Sequence, residues 1–254
     1  MLSSLKINHI DVWLLPIAGW DATQLTDAQI HNLLSDKEFL RFQRYRPLSK
    51  KAEFVASRLL LRHLLTTYTT CNVAATEAIP DDMGRPFWYE NEKPVDLFFS
   101  LSHTKDMICC ALSHNKEIGC DIESLQPRKY QVELAKRVFS TKEHQFYRDL
   151  PGAEQSDFFY RSWTLKEAFI KAMGQGLRIP LTSLSFSYMA HQQDTFTVSP
   201  SHLGENWTTS PYSFQSSIPA PGYSLGIATP LTSATISILN AQITGKNLRV
   251  ISHA

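Results

Sequence analysis

Asp157–Met173 reads DFFYRSWTLKEAFIKAM, with neither Gly nor Pro inside it. Such a run predicts one uninterrupted helix. Gly174 closes it and Pro180 lies beyond. Its apolar residues do not keep to one side. Phe158, Leu165, Phe169 and Ala172 form one stripe, while Tyr160, Trp163 and Ile170 flank Glu167 and Lys171 on the other. A helix apolar on both sides belongs between two other elements. Glu167 and Lys171, one turn apart, then stand partly buried in a cleft. The plainer alternative is a solvated ion pair worth only ~0.3–0.5 kcal/mol.

Working outward, Ser49–Tyr68 is a second long helix, with Ala52, Val55, Ala56, Leu59 and Leu60 at helical spacing. Before it, residues around Ile10–Leu15 form a first strand, and Asp27–Arg46 a broken helix stopped by Pro47. After it, Asp81–Pro86 is a turn by composition. Three short runs follow, Asp96–Leu101, Met107–Leu112 and Glu117–Ile122, linked around His103 and His114–Lys116. Their spacing predicts an antiparallel meander. Ser140-Thr141-Lys142-Glu143 is a capping box that opens a further helix. Leu184–Val250, rich in Ser, Thr, Pro and β-branched residues, predicts several antiparallel strands with turns near Gly204, Pro211 and Pro221-Gly222. The order implies an α+β fold built as a pseudo-dimer of two similar halves, residues 1–115 and 116–254. Each half is a long helix packed on a small, mostly antiparallel sheet. No low-complexity linker divides them, so a tight interface is expected.

The 254 residues carry 25 Lys+Arg against 24 Asp+Glu, a balance that argues against coating nucleic acid by bulk charge. The 43% hydrophobic and 19% charged content is that of a globular chain, not a disordered one. No run reaches the ~18–20 apolar residues needed to span a bilayer, and the first residues lack a signal-peptide layout. Cys71, Cys109, Cys110 and Cys120 form no C-x-x-C pair. They read as small buried hydrophobes in a reducing compartment, with Cys109 and Cys110 on opposite faces of a strand. A monomer in the cytoplasm, binding neither membrane nor nucleic acid, is the expectation.

Four features carry chemistry. In Ile118-Gly119-Cys120-Asp121-Ile122-Glu123 the strand period points Asp121 and Glu123 to one side, and Ile118, Cys120 and Ile122 to the core. Two adjacent carboxylates need a hard cation if buried, or form a solvated acidic edge if not. Glu167 and Lys171 are the second feature. The third is Phe98–His103, a strand ending in Ser102 and His103. A hydroxyl and an imidazole there suit phosphate oxygens, although taken alone the feature favours a turn with a local serine hydrogen bond. The fourth is a basic region from Lys37 to Arg62, opposed only by Asp36, Glu38 and Glu53: a solvated face, or a site for an anionic ligand or acidic partner. Arg85, after Gly84, adds to it. Gly174-Gln175-Gly176 follows a helix and reads as a C-cap, not a phosphate loop.

Taken in order, Gly84-Arg85-Pro86, Phe99–His103, Ile118–Glu123, Phe139–Glu143, Trp163–Lys171 and Gly174–Leu177 resemble the 4′-phosphopantetheinyl transferases, and more narrowly their surfactin-synthetase-activating (Sfp-type) branch. The resemblance covers about residues 35–181. It implies transfer of the phosphopantetheine arm of coenzyme A to a serine of an apo acyl or peptidyl carrier protein, with Mg²⁺ as cofactor and adenosine 3′,5′-bisphosphate as the second product. By position it implies Asp121, Glu123 and Glu167 as Mg²⁺ ligands, and Lys171 as the diphosphate contact. Ser102 and His103 take the place of a phosphate-contacting pair, Arg85 that of a nucleotide contact, and Arg41 (with Lys37 a competitor) that of the 3′-phosphate contact. Glu167 is first choice for general base and Lys166 a weaker one. Arg85, Ser100 and Cys120 depart from the usual Lys, Asn and branched aliphatic. Two rivals stand beside this reading: a Mg²⁺-dependent hydrolase of the coenzyme A diphosphate, which would use the same carboxylates, and a non-catalytic carrier-binding module, which predicts lost metal ligands although Asp121, Glu123 and Glu167 are all present.

Overall fold

The strand β1 (His9–Pro16) is buried on both faces over residues 12–15, and the layers of the fold are built around it. The computed structural model of the chain describes residues 5–126, 130–174, 176, 179–186, 212–244 and 247–253. After β1 come α1 (Asp27–Leu33), α2 (Asp36–Arg44) and the long α3 (Leu48–Tyr68). Next are β2 (Thr76–Pro80), β3 (Pro86–Glu90), β4 (Lys93–Pro94), β5 (Phe98–Thr104), β6 (Met107–Ser113) and β7 (Gly119–Ser124). Then come α4 (Gln131–Val138), α5 (Thr141–Asp149), α6 (Gly152–Met173), β8 (Ser213–Ser217), β9 (Tyr223–Thr229), β10 (Thr235–Thr244) and β11 (Asn247–His253). The capping box at Ser140 and Glu143 is present at the start of α5. Gly174 ends α6 in the left-handed conformation, φ 65°. The turns expected near Gly204 and Pro211 lie outside the described residues.

A five-stranded sheet runs β11-β10-β1-β6-β5, and a three-stranded one runs β7-β9-β8. Alternation along β1 loads both faces of the larger sheet. Trp13 and Leu15 meet Ala56, Leu60 and Leu64 of α3. Ile10, Val12 and Leu14 meet Ile118 just before β7, Cys120 and Ile122 of β7, and Leu225 and Ile227 of β9. Cys110 and Cys109 divide between the same two cores, as their adjacency requires. The outer face of the smaller sheet, with Phe214 and Ala228, receives Leu165, Phe169 and Ala172 of α6. The order of layers is therefore α3, large sheet, small sheet, α6: two helix-on-sheet halves stacked sheet to sheet.

Three expectations change. β7 does not complete a meander with β5 and β6; it pairs antiparallel with β9 in the second sheet. By sheet membership, β10 and β11 sit with the first half, because β10 runs parallel to β1 and carries β11 with it. Phe158 leaves the Leu165–Phe169 stripe for a separate aromatic core with Phe139 and Tyr147, since the first turns of α6 meet α4 and α5 rather than the small sheet.

α6 lies unusually close to its sheet. A Cβ on Gly119 of β7 would fall 1.8 Å from the Ala168 carbonyl oxygen and 2.6 Å from the Ala172 nitrogen. One on Gly226 of β9 would fall 2.5 Å from the Thr164 carbonyl. Asp121 is the register partner of Gly226, so both glycines bracket the strand position that bears it. The obstructing atoms are helix backbone and cannot rotate aside. Gly119→Ala and Gly226→Ala are each expected to exceed the ~1–3 kcal/mol usual for overpacking, read as loss of the cooperative thermal transition or a large fall in its midpoint.

Candidate active site

Gly119, Asp121 and Glu123 alternate with core residues along β7 and so point toward α6, which presents Glu167 and Lys171. The Lys171 ammonium donates to Asp121 Oδ1 at 2.8 Å and to the Cys120 carbonyl at 3.1 Å. The Asp121 side chain is 9% exposed and that of Lys171 31%. Asp121 Oδ2 is buried and accepts no hydrogen bond. Burial, then the charge of Asp121 and more weakly Glu123, raises the Glu167 carboxyl above its ordinary range, against the pull of Lys171. Burial works against the Lys171 charge, but Asp121 and Glu167 outweigh it and its pKa is raised.

The expected three-carboxylate set is only partly drawn together. Among the described residues no group of three His, Cys, Asp or Glu is gathered as a metal site. Like charges repel, and Lys171 neutralises Asp121 in their midst. The donor chemistry nonetheless fits a hard cation. The groups are oxygen ligands, and one of Asp121's two oxygens is buried with its lone pairs unmet.

β5 runs on to Thr104, past the expected end at Leu101. Ser102 and His103 therefore lie inside the strand and face opposite ways. Ser102 is buried and donates to Asp121 Oδ1 at 2.7 Å. His103 turns to α3, where its Nε2 sits 2.7 Å from Glu53 Oε1. Burial lowers the His103 pKa; Glu53 opposes this, and Lys50 and Lys171 reinforce it. Glu53 also accepts from Lys50 at 3.0 Å. Nothing in the spacing of α3 marks Glu53 as a partner of His103; only the packing of α3 beside β5 reveals it.

A cavity of about 300 Å³, lined by Arg85, Leu101, Glu167, Ile170 and Lys171 among others, adjoins one of about 320 Å³ lined by Arg41, Lys50, Glu53, Arg58 and His103. The two share Gly84, Pro86, Phe99 and Leu101 and form one cleft between the halves. A further cavity of about 210 Å³ continues past Arg41 and Arg58 to Lys37 and Arg62. Arg41 thus lines two of these spaces and Lys37 only the outermost. The Arg41 guanidinium bonds the Tyr45 hydroxyl and stands 5.6 Å from the Phe54 ring.

Residues 117–228 match the family model of the 4′-phosphopantetheinyl transferase superfamily. The 4′-phosphopantetheinyl transferase HetI of Nostoc sp. is 30% identical over 174 residues, 68% of this chain and 72% of that protein. The chain belongs to the 4′-phosphopantetheinyl transferase family. The 4′-phosphopantetheinyl transferase Sfp of Bacillus subtilis is 39% identical over 103 residues, 41% of this chain and 44% of that protein. The 4′-phosphopantetheinyl transferase AcpT of Escherichia coli K12 is 37% identical over 125 residues, 49% of this chain and 59% of that protein.

Two residues of this transferase are held by partners within the protein. Arg85 lines the cleft, but its guanidinium donates to the Ala172 carbonyl at 2.9 Å, the Ile118 carbonyl at 3.1 Å and the Lys116 carbonyl. It ties the β2–β3 turn to the end of α6 and to the link into β7. Lys166, adjacent to Glu167, is carried round the helix into the interior. Its ammonium bonds Glu143 Oε2 at 2.6 Å and the carbonyls of Val138, Leu184 and Leu181. With no exposed surface it handles no substrate proton. Glu143 completes this strut, accepting also from the Ser140 and Phe186 backbone amides. Lys166→Ala should cost ~3–5 kcal/mol by stranding a buried carboxylate, and Arg85→Ala ~1.5–3 kcal/mol. Denaturant titration of the two variants checks both.

Proposed function

We propose that this enzyme transfers the 4′-phosphopantetheine arm of coenzyme A to a serine of an apo acyl or peptidyl carrier protein and releases adenosine 3′,5′-bisphosphate. The observation that carries the reading is the buried, unpartnered oxygen of Asp121 beside Lys171, which with Glu167 lines one end of a cleft whose other end is basic. Coenzyme A has that polarity, with a diphosphate at one place and a 3′-phosphate at another. Both halves of one chain supply the cleft, which supports action as a monomer. No helix among the described residues is long and apolar enough to cross a membrane.

Asp121, Glu123 and Glu167 would hold Mg²⁺, which when bound neutralises the diphosphate oxygens and makes the phosphorus more electrophilic. Lys171, kept protonated by Asp121 and Glu167, stands ready to stabilise charge on the leaving nucleotide phosphate. Glu167, bordering the cleft beside Lys171, is first choice to take the proton of the attacking serine, directly or through a water. Arg41 meets the 3′-phosphate, since its present partners are a neutral hydroxyl and a ring. His103, which lines the same cavity as Arg41, contacts a phosphate of coenzyme A once Glu53 yields. As in other phosphoryl transfers, positioning and charge stabilisation do most of the work.

Intact mass measurement of an apo carrier protein incubated with enzyme, coenzyme A and Mg²⁺ should show a gain of one phosphopantetheine arm. Adenosine bisphosphate released without any carrier would instead support a hydrolase. Outer partners of a metal ligand are worth ~10–100-fold in activity, so loss of a ligand itself, in Asp121→Ala or Glu167→Ala, should exceed that while far-UV circular dichroism stays unchanged. Full activity in either variant removes the assigned role. A chelator should abolish transfer, and added Mg²⁺ restore it.

A further inference from the structure

β5 and β7 belong to different sheets, yet side-chain hydroxyls join them. Every second residue of β5 from position 100 is Ser or Thr, and each accepts an amide N–H of β7. Ser100 takes that of Cys120 at 3.0 Å, Ser102 that of Ile122 at 3.3 Å and Thr104 that of Ser124 at 3.2 Å. The two hydroxyls nearer the end of β5 do something more. Ser102 donates its proton to Asp121 Oδ1 at 2.7 Å, and Thr104 donates to Glu123 Oε2 at 3.2 Å. One unit is thus built twice: the hydroxyl at position i of β5 grips the carboxylate at i+19 and the amide of the next residue. Ser100 stands at the corresponding place opposite Gly119, which has no carboxylate to grip.

A hydroxyl has one proton and can rotate freely. Accepting a fixed amide leaves its proton to be directed at the carboxylate. Asp121 Oδ1 then receives two donors, Ser102 and Lys171, which fix the plane of the group and leave Oδ2 buried with its lone pairs unmet. We propose that Ser102 and Thr104 are positioning residues of the cation site. They orient Asp121 and Glu123 through a shared hydroxyl ladder, and Ser102 acts on the carboxylate rather than on a phosphate of coenzyme A. This rests on the assignment of Asp121 and Glu123 as cation ligands.

The test uses the full chain and Mn²⁺ as probe, titrated into enzyme holding stoichiometric coenzyme A and followed by loss of the free-ion electron paramagnetic resonance signal. Coenzyme A affinity is measured separately, by calorimetry in chelator. Ser102→Ala should weaken Mn²⁺ binding ~10–100-fold and leave metal-free coenzyme A affinity unchanged. Thr104→Val should weaken Mn²⁺ binding in the same direction, and Ser102→Thr should restore it. Ser100→Ala removes a ladder bond without touching a carboxylate and should leave Mn²⁺ affinity unchanged. An equal loss in Ser100→Ala would reduce the ladder to a joint between sheets. Weaker metal-free coenzyme A binding with unaltered Mn²⁺ affinity would return Ser102 to the phosphate. Should Ser102→Ala fail to fold, Thr104→Val decides alone, unchanged Mn²⁺ affinity overturning the proposal. Asp121→Asn in the same titration tests the cation site itself: if it binds Mn²⁺ like the parent, the underlying assignment fails whatever the serine variants do.

Discussion

The contact on which everything else rests is backbone against backbone. α6 lies on β7 and β9 so closely that the carbonyl of Ala168 and the amide of Ala172 fill the space a Cβ of Gly119 would take. Those two groups are four residues apart on the helix, and Glu167 and Lys171 immediately precede them in the chain. Docking the helix there fixes its rotation and its height over the sheet together. A larger residue on either strand would lift α6 away, and Lys171 would no longer span the gap to Asp121. The glycine of the G-x-D-x-E run is thus a packing residue that makes the two carboxylates useful.

With the helix so placed, its charged residues separate by small rotations into different environments. Lys166 turns inward and is fully surrounded by carbonyls and Glu143. One residue on, Glu167 borders the cleft, and one turn later Lys171 meets Asp121. Burying Lys166 without Glu143 would be prohibitive. With it, the pair joins the capping box of α5 to α6 and to Phe186, holding the second half rigid behind the site.

Much of this was legible beforehand, for physical reasons. Long periodic runs identified α3 and α6, and the two-residue alternation of Ile118–Glu123 sorted core from carboxylate. Both signals are local. What failed was non-local. β5 appeared to end at Leu101 because Ser102 and His103 resemble turn residues, although β6 and β7 supply partners on both sides and keep the strand extended. The pairing of His103 with Glu53, the crossing of β10 to β1 and the close approach at Gly226 depend on which elements meet in space. An isolated glycine in a strand hints at close approach without naming what approaches.

The cleft also explains how a chain of net charge +1 can suit a ligand with several phosphates. Its cations are already paired within the protein: Lys50 with Glu53, Arg58 with Glu38, Lys171 with Asp121; the His103 ring meets Glu53 as well. Arg85 is engaged by backbone carbonyls, a task for which a guanidinium with five donors is better shaped than an ammonium. Entry of phosphate groups therefore means exchange of partners, carboxylate for phosphate, at each paired cation. Arg41 differs, since a neutral hydroxyl and a ring hold it without satisfying its charge. An anionic ligand gains most where it displaces least; on the function proposed above, the Arg41 end of the cleft would be the favoured point of first capture and the paired end, with Lys171 and Glu167, the place where the diphosphate would be set.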